Sequence, residues 1–205
     1  MSIEIIQTVI TTVGTIVVAL ITVVVKTKLD QHYISKTAKK EENITEADVQ
    51  DMVLVQEWLE NFRAKYEYER ASIFQFHNGG KFFQGKSMKK FSMTYEAVAP
   101  GYEKIKRFQQ NVLTSEYPRW VNRMMNDNCF ITTPEDVDFK DKKELEKFGI
   151  IQFVTVPIYC LNNTLIGFIV GHIMVENDYD IMSKSNDMIE DSKQIAGYIA
   201  NATGK

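Results

Sequence analysis

Ile150-Ile-Gln-Phe-Val-Thr-Val-Pro-Ile-Tyr159 is followed, after Cys160-Leu-Asn-Asn-Thr164, by Leu165-Ile-Gly-Phe-Ile-Val-Gly-His-Ile-Met-Val175. Both runs are apolar, rich in Val and Ile, and of strand length. Asn162-Asn163 between them suits a tight turn, because Asn tolerates positive φ. This is a β-hairpin, and Gly149 just before it ends whatever helix precedes it.

Working outward, Met188, Ile189, Ser192, Ile195, Ala196 and Ile199 line one face of a closing helix that Gly204 terminates. Upstream lie a short charged helix, Lys140 to Lys147, a Pro134-Glu-Asp segment and a short strand, Cys129 to Thr132. Tyr102 to Asn128 reads as largely helical, interrupted around Thr114-Ser115 and Pro118. Ser115 is its candidate cap, and Trp120, Val121, Met124 and Met125 form its apolar face. Ala71 to His77 and Phe91 to Ala97 alternate as strands. Asn78-Gly79-Gly80 breaks the first, Lys81 to Lys90 forms a basic loop, and Pro100-Gly101 closes the second. From Thr45, a candidate cap, Val49, Met52, Val53, Leu59, Phe62 and Tyr66 recur near helical spacing, which predicts an amphipathic helix ending near Tyr68. The order predicts an α+β fold: an antiparallel sheet of about five strands, flanked by helices, with the first and last helices packed together on one face.

The N-terminus is of another kind. Ile5 to Val25 is uncharged, and roughly 20 apolar helical residues cross a bilayer. The expected organisation is a single transmembrane helix and anchor at 1–28, a polar linker at 29–43 and the α+β domain at 44–205. Lys26, Lys28, Lys36, Lys39 and Lys40 follow the span, while Met1 to Glu4 carry no Lys or Arg. The positive-inside rule therefore places the C-terminal domain in the cytoplasm, at the inner membrane. A cleaved signal peptide fits poorly, because no basic n-region or A-x-A-like site is present. Thr8, Thr12, Thr15, Ala19 and Thr22 share one helical face, with Gly14 close by. Small and hydroxylated residues let helices approach, so a homo-oligomer through this stripe is expected. A hydroxyl bonding back to its own helix is the plainer reading of each Thr.

Net charge is -3, and no broad basic field argues for nucleic acid. Cys129 and Cys160 lack C-x-x-C spacing, and His32, His77 and His172 are scattered, so neither a metal nor another cofactor is expected. No P-loop, nucleophile elbow or paired-carboxylate motif occurs, so an enzyme is not expected and no catalytic residue is assigned.

Leu145-Glu-Lys-Phe-Gly149 leading into Val154-Thr-Val-Pro157-Ile-Tyr and Leu165-Ile-Gly167-Phe-Ile-Val is similar to the last strand pair of GAF domains. Phe74-Gln-Phe-His77-Asn78-Gly79 and Phe91-Ser-Met-Thr-Tyr95-Glu96 resemble the opening strands of GAF-like proteins of phages and bacteria. The resemblance covers residues 46 to 203. It implies a sensory or binding scaffold whose ligand differs from member to member. A narrower resemblance is to the holins of T-even phages, which also look like one span followed by a compact α/β domain. Pro157, Tyr159, Asn162, Asn163, Gly167 and Ala196 carry it. It implies host cell lysis with a periplasmic domain and a longer arm before the span, and this chain departs from both points.

His77 and Asn78 sit at a predicted strand end before a glycine loop, where ligand pockets are often rimmed. The same residues also serve as a plain turn. Tyr95 and Glu96 lie in the second strand. If Glu96 points inward it needs a donor, with Arg119 and Arg123 as candidates; pointing outward it needs none. The basic loop, with Phe82 and Phe83 among its lysines, could meet anionic lipid or a protein partner. The expectation is a membrane-anchored, non-enzymatic, GAF-like regulatory module. It self-associates through its span in the lipid bilayer and binds a small ligand or a protein. The alternative is a holin-like protein whose domain times the membrane lesion.

Overall fold

The computed structural model describes residues 45–81, 87–137, 139–176 and 180–202, together with Thr22, Val25, Lys26 and Lys28. The chain divides into two units, Met1–Thr45 and Glu46–Lys205. In the first, Thr22, Val25, Lys26 and Lys28 are helical and exposed. The rest of the predicted span and linker, with Thr8, Thr12, Gly14, Thr15 and Ala19, lies outside the described residues. Among the described residues no helix is long and apolar enough to cross a membrane.

The second unit is α+β. Its elements are α1 (Glu46–Lys65), β1 (Arg70–Lys81), β2 (Ser87–Val98), β3 (Val112–Leu113), α2 (Pro118–Asn126), β4 (Phe130–Thr132), α3 (Phe139–Lys147), β5 (Gln152–Tyr159), β6 (Leu165–Ile173) and α4 (Ser185–Ala202). The six strands form one sheet in the order β3-β2-β1-β6-β5-β4. All its pairings are antiparallel. The expected hairpin is β5–β6. Asn163 takes φ 61° in its turn, and its amide donates to the Cys160 carbonyl at 2.8 Å. Gly149 takes φ 66° at the end of α3, where the Ile150 amide returns to the Leu145 carbonyl at 2.9 Å and satisfies the last turn. Ala99 to Tyr102 close a turn with Pro100 second and Gly101 third, at φ 93°.

Alternation along the strands separates two faces. Ala71, Ile73, Val154, Val156, Ile158, Ile169 and Ile173 face α1 and α4, and with Val55, Leu59, Met188 and Ile195 they form the larger core. The first and last helices do pack together. Lys65 Nζ lies 2.7 Å from the Asp191 carboxylate, which also accepts the Tyr66 hydroxyl at 2.8 Å. Gly171 is required on this face, because a Cβ there would run into the Tyr68 ring. The opposite face carries the second core, around Phe74, Phe91, Met93, Phe153, Phe168 and Val170, under α2, α3 and the segment after β2.

Several expectations change. Tyr102 to Asn128 is not largely helical. It holds two 3-10 turns, the strand β3 and only then α2, whose first residue is Pro118. Tyr117, not Ser115, is its N-cap, and it makes no side-chain cap bond. Val49, Met52 and Val53 are exposed, while Val55 is fully buried, because the sheet and α4 cover only the later turns of α1. Asn78-Gly79-Gly80 does not break β1, which continues to Lys81. Bare Gly79 leaves room for the Lys90 side chain across the pair. Residues 82–86 lie outside the described residues.

Candidate functional site

A cavity of about 140 Å³ lies between the second face of the sheet and its cover. Its floor is Phe74 of β1, Met93 of β2, Phe153 of β5, and Val170 and His172 of β6. Tyr117 and Trp120 enter from the start of α2, and Asp141, Glu144, Leu145 and Phe148 from the inner face of α3. Ile105 and Gln109 reach it from the segment after β2. The rings interlock around Phe168. Phe74 stacks on it at 4.8 Å, and Trp120 meets it edge-on at 4.8 Å. Such offset and T-shaped contacts match edge to face and hold the wall rigid.

Two buried polar groups are left without partners here. His172 is 6% exposed and its Nδ1 has no hydrogen-bond partner; Trp120 Nε1 has none either. Burial, and secondarily the Arg70 guanidinium, pull the His172 imidazole down to about 3. The ring is therefore neutral at physiological pH and offers one donor and one acceptor. At the α3 side the Tyr117 hydroxyl donates to Asp141 at 3.3 Å. Burial first, then Asp141 and Glu144, push the Tyr117 phenol well above its ordinary value.

The segment covering the cavity is tied down by an ion pair. Glu96 is 3% exposed and Arg70 2%; Arg70 Nε stands 3.1 Å from Glu96 Oε1. The Glu96 carboxylate also accepts the Ile105 amide at 2.8 Å and the Lys106 amide at 3.0 Å, and Arg70 Nη2 donates to the Glu103 carbonyl at 2.7 Å. Glu96 is thus a latch that fixes the backbone carrying Ile105 over the cavity.

The sequence-derived site residues are not brought together. Glu96 does point inward, but its partner is Arg70. Arg119 is exposed, and Arg123 pairs with Asp127 at 3.5 Å and covers the Phe130 ring. Tyr95 packs against the helix-side core. His77 shares a 2.9 Å hydrogen bond with Ser92, and Asn78 is exposed, accepting from Lys89 at 2.9 Å. None of the six lines the cavity. Among the described residues no group of His, Cys, Asp and Glu could hold a metal. Both cysteines are free and neither lines the cavity. The residues that do line it carried one signal, Trp120 in the apolar stripe after Pro118, which reads as core until the α3 carboxylates are placed beside it.

The fold of the second unit recurs among solved structures. The fold is the GAF fold. The phycoerythrobilin-bound GAF domain from a cyanobacterial phytochrome is 15% identical, over 77% of this chain and 94% of that one, with a TM-score of 0.53. GAF3 from Slr1393 of Synechocystis sp. PCC6803, in its photoproduct state, is 18% identical over 75% and 97%, at 0.56. The blue-light absorbing form of the Thermosynechococcus elongatus PixJ GAF domain is 12% identical over 78% and 94%, at 0.56. No family model matches the sequence, and no curated protein does.

Proposed function

We propose that this chain is a membrane-anchored, non-enzymatic GAF module that responds to a small ligand held in the cavity beneath Trp120. The observation that carries the reading is the aromatic cavity itself, with His172 Nδ1 and Trp120 Nε1 unpartnered at its wall. Buried polar groups are normally paired, and a ligand with one acceptor and one polar edge would pair them. Bilin-bound GAF domains among the solved neighbours lend support for a ligand on this scaffold. The ligand here is smaller. Pockets for drug-sized molecules span about 300–1,000 Å³, whereas a dry cavity of about 150 Å³ takes benzene. The anchor is Ile5 to Val25, self-association runs through its Thr and Ala stripe, and the GAF module lies on the cytoplasmic side of the inner membrane.

Trp58 and Trp120 are the two tryptophans, so a Trp58→Phe variant isolates the signal at the cavity. Benzene-sized to indole-sized apolar molecules should shift Trp120 fluorescence and raise the unfolding temperature together. If a panel of such molecules moves neither, the cavity is not a ligand site. A phosphatase fused after Lys205 should be inactive; activity would place the module in the periplasm and overturn the topology.

A further inference from the structure

This inference rests on the reading of the cavity as a ligand site and adds the charge of the ligand. Among the described residues that line the cavity, the ones carrying a formal charge are Asp141 and Glu144, both negative; His172 is neutral. They stand three residues apart on α3 and so share one face of that helix. The lysines of α3 are engaged elsewhere or lie outside the lining. Lys142 Nζ is 3.1 Å from Glu135 and 4.0 Å from Glu146, and Lys147 sits over the Phe148 ring at 5.7 Å from its centroid. Arg70, behind His172, is held by Glu96. An anion entering the cavity would therefore meet two carboxylates and, among the described residues, no cation in the lining. A cation would meet those carboxylates beside the Tyr117 and Trp120 rings, whose π faces attract positive charge. The unpartnered Nδ1 of His172, on a side chain more than nine-tenths buried, marks the deep end as awaiting a polar edge.

We infer that the cavity takes a small organic monocation, its ammonium group between Asp141, Glu144 and the Tyr117 and Trp120 rings, its flat body against Phe153 and Val170 with a polar edge turned to His172. The size of the body follows from the 140 Å³ available.

Three near-isosteric probes test this on the full-length chain in detergent micelles: phenethylammonium, 2-phenylethanol and phenylacetate. Phenethylammonium should bind about tenfold tighter than 2-phenylethanol, in keeping with one partly screened ion pair plus a cation–π contact, and phenylacetate should be weakest. Raising the salt concentration should narrow the gap. An Asp141→Asn, Glu144→Gln double variant should lose the preference while keeping its affinity for 2-phenylethanol. Equal affinities for all three probes, or a preference for phenylacetate, overturn the cation and leave the cavity reading standing. Failure of every probe to bind overturns both.

Discussion

On the face of the sheet that meets α1 and α4, Ile73, Val156, Ile169 and Ile195 are packed against one another with essentially no exposure. On the other face of the same strands, Arg70, Ser72, Thr132, Thr155 and His172 are buried as well. Ser72 Oγ, Thr132 Oγ1, Thr155 Oγ1 and His172 Nδ1 lack partners, whereas the Tyr66, Tyr68 and Ser192 hydroxyls of the helix side each have one. One face is closed by apolar packing, with its few buried hydroxyls paired. The other carries unpaired polar atoms, and one of them, His172 Nδ1, belongs to a residue that lines the cavity, a common mark of a binding surface. Stability should therefore depend on size on the first face and on charge and pH on the second.

The largest effect is expected at the latch. Glu96→Ala strands the buried Arg70 guanidinium and frees the Ile105 and Lys106 amides, so stability by urea unfolding should fall by about 3–5 kcal/mol. A loss below about 1 kcal/mol would mean that the pair does not hold this face together. Next comes acid. The His172 imidazole is depressed to about 3 in the folded chain, below its ordinary 6.5. Its neutral form is therefore favoured by folding. Above pH 6.5 neither state takes the proton; between 6.5 and 3 only the unfolded chain does, so stability falls as the pH drops through that window. From pH 7 to pH 5 this group should cost about 2 kcal/mol, and His172→Gln should flatten that part of the profile. An unchanged profile would show that His172 charges freely in the folded state. The smallest effect belongs to the helix face. Ile195→Val should cost about 0.5–1.5 kcal/mol, equally at pH 7 and pH 5. A pH-dependent cost there would erase the contrast.

Most of the helix face was legible in sequence. Met188, Ser192, Ile195, Ala196 and Ile199 are buried as their spacing predicts, and β5–β6 turns at Asn163. The site was much less so. The need of Glu96 for a donor follows from its strand, but its partner depends on register. Arg70 falls on the same face as Ser72, which pairs with Glu96, and this is visible only if β1 is begun one residue before Ala71. The two-residue strand β3 is too short for any periodicity, and its residues pair with Lys90 and Phe91 through contacts that local sequence does not encode. The carboxylates of α3 belong to a highly charged helix whose pattern marks no particular face. Their place beside the cavity appears only when tertiary packing sets two of them in one lining with Tyr117 and Trp120.

The centre of the sheet is the seam between β1 and β6, where Arg70 lies opposite His172 and Gln75 opposite Gly167. Each neighbouring hairpin, β1–β2 and β5–β6, closes over a short stretch of chain and can form early. The seam joins the first long strand to the last. It must wait for loop closure across more than half of the module, the kind of non-local pairing that slows folding. On a ribosome, the N-terminal hairpin emerges well before its partner exists, with the β6-facing edge of β1 unpaired until β6 has left the exit tunnel. Backbone fit then decides whether the seam can close, and Gly167 supplies it, since any Cβ there would strike the Phe74 carbonyl.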